Sequence, residues 1–187
     1  MSGQLRIFGW NGAAWEQKGS NINGVDSNDN LGESVSISAD GSIIAVGAPD
    51  YNDGAASGQV RVYEWDESTT DWQLKGAEIL GGTTSDRAGR SISLSSDGNI
   101  LAIGSPSNRN KGANTGRVQI YKWDGAAWQQ KGSNIDGEAE NDSSGNPVAL
   151  SADGKTVAIG AIYNDGGGAA SGHVRIYAWD ETADEWA

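Results

Sequence analysis

The chain has no cysteine, a single histidine and only three prolines among its 187 residues. Without cysteine it can form neither disulfides nor thiolate metal sites. Long apolar runs are also missing, because no segment approaches the roughly 18 consecutive apolar residues of a membrane-spanning helix. We therefore predict no membrane insertion. No secretory signal precedes the first repeat strand, and we expect the chain either to be cut from a longer protein or to have been started there deliberately.

Basic residues are scarce, with 13 Lys and Arg against 25 Asp and Glu, for a net charge of −12. Affinity for nucleic acid comes mainly from cationic contacts to phosphate, so a nucleic-acid partner is excluded. Windows free of glycine are scarce too, since 28 glycines are spread along the chain. Long helices are therefore disfavoured, and short strands joined by tight turns are expected.

The dominant feature is a repeat, best seen in residues 34–65. A first strand of alternating serine and aliphatic residues leads through Ala39-Asp40-Gly41 into a second strand, and a polar loop leads to a third. The same pattern returns at residues 91–123 and 148–179. The glycine that opens the third strand recurs at Gly3, Gly58, Gly116 and Gly172.

All eight tryptophans fall into matched pairs that bracket hairpin turns. The pairs are Trp10 with Trp15, Trp65 with Trp72, Trp123 with Trp128, and Trp179 with Trp186. A fourth strand follows each turn, so one repeat makes four antiparallel strands. Small serines on the first strand suit a crowded position near a central axis. We predict an all-β fold, a β-propeller of four-stranded antiparallel blades; a β-helix is the alternative.

The predicted blades are a partial blade at 3–33 with only the third and fourth strands, full blades at 34–90 and 91–147, and a blade at 148–187 with a truncated fourth strand. The chain therefore holds about three to three and a half blades, fewer than the roughly four to eight that close a propeller. Unpaired edges and exposed sheet faces favour association. We expect a homo-oligomer, as a dimer that completes the ring.

Two short motifs resemble a known family. Leu31-Gly32 followed by Ser34-Val35, with Val46-Gly47-Ala48-Pro49, resembles the FG-GAP repeat of integrin α-subunit propellers, and the match recurs in the next two copies. The resemblance implies an extracellular propeller that recognises partners. The family's calcium loop needs several oxygen ligands, whereas the turn here supplies only Asp40 or its counterpart. We therefore expect no metal and no cofactor.

The loops between the second and third strands, and between the fourth strand and the next first strand, should share one end of the propeller, here called the loop face. Loops on a rigid scaffold commonly carry binding residues. The predicted binding residues are Asp26, Asp29, Asp50, Tyr51, Asp53, Asp86, Arg87, Arg109, Asp142, Tyr163 and Asp165.

Several of these positions allow two interpretations. The equivalent Asp29, Asp86 and Asp142 could ligate a cation between blades, or could accept backbone N–H bonds and pin their loops. The tryptophans could be sugar platforms, but their strict repetition favours packing. The single histidine, His173, stands where other repeats have Gln or Arg, and we expect no catalytic role for it.

No nucleophile with an adjacent base breaks the repeat symmetry, as an active site should. We therefore predict a non-enzymatic, extracellular or cell-surface module for adhesion or protein–protein binding that assembles with itself into a closed ring. A lectin-like module that binds a glycan through loop-face pockets, and a purely structural or engineered repeat assembly, are the alternatives.

Overall fold

The computed structural model describes residues 2–52 and 56–187. Within these ranges the chain is built from antiparallel strands, without helices. Accordingly, no helix in the described part of the chain is long and apolar enough to cross a membrane.

The strands form four successive blades, which we number 0 to 3. Blade 0 holds β1 (Gln4–Leu5), β2 (Phe8–Trp10), β3 (Trp15–Gln17) and β4 (Ile22–Asn23). It consists of two separate two-stranded sheets, β1 with β4 and β2 with β3. Blade 1 holds β5 (Ser34–Ile37), β6 (Ile43–Ala48), β7 (Gln59–Asp66), β8 (Asp71–Leu74) and β9 (Ile79–Leu80). Blade 2 holds β10 (Ser91–Leu94), β11 (Ile100–Ser105), β12 (Arg117–Trp123), β13 (Trp128–Gln130) and β14 (Ile135–Asp136). Blade 3 holds β15 (Ser144–Leu150), β16 (Thr156–Ala161), β17 (His173–Asp180) and β18 (Glu185–Trp186).

The predicted β-propeller is confirmed. In blades 1 to 3 the strands pair in sequence order from the first strand to the fourth. Successive blades bury their faces against each other in three apolar clusters, one at each boundary between blades. At the boundary of blades 1 and 2, Val60 and Val62 of β7 pack against Ile92 and Leu94 of β10. Burial of these alternating aliphatic side chains is the main stabilising contribution.

The first strands line the central axis and are joined to one another by serine side chains. Ser36 of β5 accepts a hydrogen bond from the backbone N–H of Leu94 in the next first strand, at 2.9 Å. Ser91 and Ser93 accept from Val148 and Leu150 in the same way, both at 3.0 Å. The serines are therefore small enough for the crowded axis and also supply acceptors for N–H groups that no strand pairs.

The fourth strand differs from the expectation of one continuous segment. It is divided into β8 and β9 in blade 1, and the division falls at Gly76, which has a φ of +80°. A side chain at this glycine would collide with Trp123 and Trp128 of the following blade. Close approach of the next tryptophan pair therefore requires glycine here.

Each tryptophan pair is a directly opposed cross-strand pair, as predicted. The ring centroids lie 5.3–5.7 Å apart in edge-on or tilted arrangements. The second ring also joins neighbouring blades, because Trp72 donates its indole N–H to Lys18 O at 2.8 Å. Trp128 and Trp186 repeat this bond to Lys75 and Lys131. Trp72, Trp128 and Trp186 thus take part in packing between blades.

Candidate functional site

The loop face is held in shape by three equivalent buried carboxylates. Asp29 accepts hydrogen bonds from the backbone N–H groups of Val25 and Asp26 at 2.9 and 2.7 Å. Asp86 accepts from the N–H of Thr83, and Asp142 from that of Ala139. All three aspartates are at most 3% exposed. Their observed contacts are those of residues that pin their loops.

The loop between the second and third strands supplies a side-chain hydrogen-bond donor to two of these carboxylates but not to the third. Asn108 donates its side-chain amide to Asp86 at 3.0 Å, and Asn164 donates to Asp142 at 2.9 Å. The corresponding position in blade 1 is Tyr51, which is half-buried against the apolar cluster of blades 0 and 1. Asp29 Oδ1 consequently has no hydrogen-bond donor among the described residues.

Two of the predicted binding residues meet between blades 1 and 2. Arg87 Nε lies 3.1 Å from Asp50 Oδ1, and the other oxygen of Asp50 accepts from Asn30 at 2.7 Å. Asp26 and Arg109 are exposed on the loop face, and Arg109 forms no ion pair with the described part of the chain. Asp53 lies outside the described residues. The salt bridge between Arg87 and Asp50 spans this part of the loop face.

Between blades 2 and 3 the same region is open. The counterparts of Arg87 and Asp50 at this boundary are Ser143 and Ser107, so the salt bridge cannot form. A cavity of about 440 Å³ lies there, lined by Asn114, Glu140, Asn141, Ser143, Tyr163, Asp165 and Ala170. We call it the Tyr163 cavity. It contains the predicted residues Tyr163 and Asp165, and the ring of Tyr163 is 55% exposed.

The lining of the Tyr163 cavity combines a flat aromatic ring with carboxylates and amides. Asp165 Oδ1 accepts the backbone N–H of Ala170 at 2.6 Å, which fixes that carboxylate to the loop. Asn114 donates its side-chain amide to Asn141 at 3.4 Å. The Glu140 side chain lies across Gly112 and forms no hydrogen bond or ion pair with described residues. Glu140 is therefore the carboxylate that is free to act on a bound molecule.

Sequence reasoning missed Glu140, Ser143 and the two asparagines. The sequence Y-N-D-G occurs at residues 51–54 and 163–166 and suggests that Tyr51 and Tyr163 are equivalent. The backbone turns instead align Tyr51 with Asn164, because each donates its N–H to the alanine three residues earlier. The missing signal was the loss of the Arg87–Asp50 pair in the next copy. The loss of this pair can be read from the sequence once Tyr51 is aligned with Asn164 and not with Tyr163.

A larger cavity of about 570 Å³ lies between blades 2 and 3 at the other end of the molecule. Lys131 and Trp179 line it, and burial lowers the pKa of Lys131 to about 8. A similar cavity bounded by Lys18 and Trp65 lies between blades 0 and 1. Because this cavity recurs with the repeat, we attribute it to the packing of lysine against tryptophan. A functional site should instead break the repeat symmetry.

The remaining charged groups of the loop face make scattered pairs. His173 Nε2 lies 3.5 Å from Glu138 Oε2, and Arg90 pairs with Glu33. Within residues 2–52 and 56–187, no group of three or more His, Cys, Asp or Glu side chains is placed to hold a metal ion.

No family model and no curated protein matches the chain. Among solved structures, it is similar to a candidate 6-phosphogluconolactonase from Bacteroides uniformis, with a TM-score of 0.64, 13% identity, and coverage of 98% of this chain and 50% of that one. The periplasmic gluconolactonase of Pseudomonas aeruginosa gives 0.58, 17%, 97% and 48%. A protein from Lactobacillus plantarum gives 0.59, 16%, 98% and 47%. The chain thus spans about half the length of these structures.

These comparisons overturn the resemblance to FG-GAP integrin repeats, because the neighbours are propellers of the lactonase type. The motifs behind that resemblance have a packing origin. A side chain at Gly47 or Gly104 would collide with the backbone of Gly89 or Gly145 in the next blade. Any tightly packed propeller imposes such glycines, so they do not identify a family.

The same comparisons correct the expected functions. A non-enzymatic adhesion module, its lectin-like and purely structural alternatives, and the prediction that the chain is no enzyme are all contradicted by neighbours named as lactonases. At these identities the likeness establishes a shared β-propeller fold.

Proposed function

We propose that this chain forms part of a lactonase-type propeller and that the Tyr163 cavity binds and hydrolyses a sugar lactone. Two of the similar structures carry lactonase names. The observation that carries the proposal is the cavity of the loop face between blades 2 and 3, where Ser143 and Ser107 replace the salt-bridged Arg87 and Asp50.

The lining fits the chemistry of a cyclic sugar ester. The exposed ring of Tyr163 offers a flat surface for the apolar face of a sugar ring. The amides of Asn114 and Asn141 and the hydroxyl of Ser143 can donate hydrogen bonds to the lactone carbonyl and the sugar hydroxyls. These groups hold the ester carbonyl within the cavity.

Glu140 then serves as the general base. Its carboxylate accepts a proton from a water molecule, and the water oxygen attacks the carbonyl carbon. The bond between that carbon and the ring oxygen breaks, and the ring oxygen takes the proton back to give the open hydroxy acid. Asp165, tied to the backbone of Ala170, fixes the loop and the position of Tyr163.

The test is hydrolysis of glucono-δ-lactone and 6-phosphogluconolactone by the full chain, followed by proton release and corrected for the spontaneous reaction. Glu140→Gln should lower kcat at least about 100-fold, as expected for loss of a general base. Glu16→Gln, at an exposed site in blade 0, is the matched control and should leave the rate unchanged. Equal rates for Glu140→Gln and Glu16→Gln, or no rate above background, would refute the assignment.

The proposal extends to location. The similar protein from P. aeruginosa is periplasmic, and a chain without cysteine is independent of the redox state of its compartment. We place this protein outside the cytoplasm, as an extracellular or cell-surface protein. Fractionation of cells that express the full gene checks this location.

A further inference from the structure

At each boundary between blades, a lysine amine lies against the tryptophan pair of the next blade. The contacts are Lys18 over Trp65, Lys75 over Trp123 and Lys131 over Trp179. The backbone carbonyl of each lysine also accepts an indole N–H from the same pair. This packing is common to the three boundaries, but the charge that faces the lysine is not.

The group that faces the lysine from the third strand changes between copies. Lys75 forms a salt bridge with Glu64, whose Oε2 lies 3.0 Å from the amine. The counterpart of Glu64 in blade 2 is Lys122, since each directly precedes the first tryptophan of its pair. Lys131 therefore meets an ammonium group where Lys75 meets a carboxylate.

The backbone supports this equivalence. The N–H groups of Lys75 and Lys131 donate to the carbonyls of Val62 and Ile120, each of which lies two residues before the facing side chain. Lys131 and Lys122 also line the same cavity of about 570 Å³, which we call the Lys131 cavity. Lys131 forms no salt bridge with residues 2–52 or 56–187, and its amine lies against indole rings instead.

Three further charged groups approach this amine from blade 3. Glu181 and Asp184 lie in the turn between β17 and β18, and Lys155 lies in the turn between β15 and β16. Glu181 is already paired, because its Oε1 lies 3.0 Å from Lys155 Nζ. Burial against the rings favours the neutral amine, as do the charges of Lys122 and Lys155. These effects outweigh the two carboxylates and lower the pKa of Lys131 to about 8.

We propose that Lys131 is a nucleophilic lysine that takes an acyl group from a neutral lactone or ester in the Lys131 cavity. A lysine amine becomes an effective nucleophile when it is partly desolvated and lies beside another cation. Lys131 meets both conditions, through the tryptophan rings and through Lys122. Lys75 has the same ring contact but a carboxylate partner, and it is the natural reference.

The transfer needs only the lysine and the lactone. The amine nitrogen of Lys131 forms a bond to the carbonyl carbon, and the bond between that carbon and the ring oxygen breaks. The nitrogen loses one proton and the ring oxygen gains one. The products are an amide on Lys131 and a hydroxyl group on the acyl chain, and the modified side chain carries no charge.

The lining of the Lys131 cavity indicates which donors react. Negative groups outnumber its three lysines, since it includes the carboxylates of Asp97, Asp124, Asp153, Glu181 and Asp184. This excess of negative charge disfavours an anionic acyl donor. Glucono-δ-lactone should therefore acylate Lys131 faster than 6-phosphogluconolactone does.

Labelling of the full chain with glucono-δ-lactone at neutral pH tests the proposal, with the adduct on each lysine measured by peptide mass spectrometry. Lys131 should be acylated at least about tenfold faster than Lys75. Its rate should level off above about pH 8. Both lysines are compared in one sample, so hydrolysis of the lactone affects them equally, whether or not the Tyr163 cavity is catalytic. Equal rates at the two lysines, or faster labelling by 6-phosphogluconolactone, would overturn the proposal.

Exchange of the facing residues tests the cause of the reactivity. Lys122→Glu gives Lys131 the partner that Lys75 has and should slow acylation of Lys131 at least about tenfold. Glu64→Lys should speed acylation of Lys75 several-fold. Lys111→Glu makes the same charge change on the exposed loop face and should leave the rate at Lys131 unchanged. Equal rates at Lys131 in Lys122→Glu and Lys111→Glu would contradict the role assigned to Lys122.

Discussion

Single residues decide how well each loop of the repeat is held. Asp29, Asp86 and Asp142 occupy the same position and are almost fully buried, yet their second partners differ. Asn108 and Asn164 complete the hydrogen bonding of two of them, and Tyr51 cannot do so for the first. A buried carboxylate oxygen without a donor costs stability. Among the described residues, the first loop lacks this side-chain donor.

This difference predicts the effect of removing one asparagine. Asn108→Ala should lower the free energy of unfolding by about 1–3 kcal/mol, because Asp86 loses a buried donor. Urea denaturation measures the change. Asn110→Ala, at an exposed position two residues later, is the control and should change stability by less than about 0.5 kcal/mol. Equal losses for the two variants would show that the Asp86 contact contributes nothing.

A second residue-scale prediction concerns the turn between the first and second strands. The Ser38 hydroxyl, followed by the backbone N–H and hydroxyl of Ser42, lowers the pKa of Asp40 from 3.8 to about 2. Because the folded chain holds this proton less tightly than the unfolded chain, Asp40 stabilises the fold above pH 4. That contribution is lost as the pH falls from 4 towards 2.

Ser38→Ala removes the leading cause of this shift. We expect the pKa of Asp40 in the variant to rise towards its ordinary value, as followed by NMR titration of the carboxyl carbon. The equivalent Asp97 in the wild-type turn of blade 2, whose pKa is also lowered, is the internal reference and should stay unchanged. If the pKa of Asp40 in Ser38→Ala stayed as low as in the wild-type chain, groups other than Ser38 would be responsible for lowering it.

At the scale of elements, the blades are joined by a repeated contact between a fourth strand and the next tryptophan pair. Gly19, Gly76 and Gly132 interrupt the fourth strands where these rings approach. The indole N–H of the second tryptophan donates to the backbone carbonyl of the lysine that directly precedes this glycine. The glycine and the tryptophan are thus two parts of one inter-blade contact.

Gly76→Ala tests this contact. Both Gly76 and Gly125 have positive φ angles, of +80° and +104°, but an added side chain meets Trp123 at Gly76 and open space at Gly125. Each alanine should cost about 1–2 kcal/mol of backbone strain, and Gly76→Ala should cost about 1–3 kcal/mol more from crowding. Urea unfolding of both variants gives the difference. Equal losses of stability in the two variants would mean that the Trp123 ring moves aside without cost.

Much of the element structure was readable from the sequence. Tryptophan pairs and glycine-bounded strands repeat because blade packing requires them, and so they predicted the sheets, the hairpins and the propeller. The break in the fourth strand was missed, because it depends on a ring from the next blade. The Tyr163 cavity was missed because its boundary carries Ser143 and Ser107 in the places of Arg87 and Asp50, and a missing salt bridge leaves no motif.

At the scale of the whole molecule, the same regularity misled the assignment of a family. Gly47 and Gly104 are required by the close approach of the next blade's backbone, so they could not by themselves identify an integrin-type repeat. What distinguishes the molecule is where the repeat fails. It fails at the Tyr163 cavity, and our proposal for catalysis rests on this place.

The proposal for catalysis is tested most directly by the rate of lactone hydrolysis by the full chain. We predict hydrolysis of glucono-δ-lactone or 6-phosphogluconolactone above the spontaneous rate, lowered at least about 100-fold in Glu140→Gln and unchanged in Glu16→Gln. A rate no higher than the spontaneous one, or equal rates for the two variants, would contradict the account.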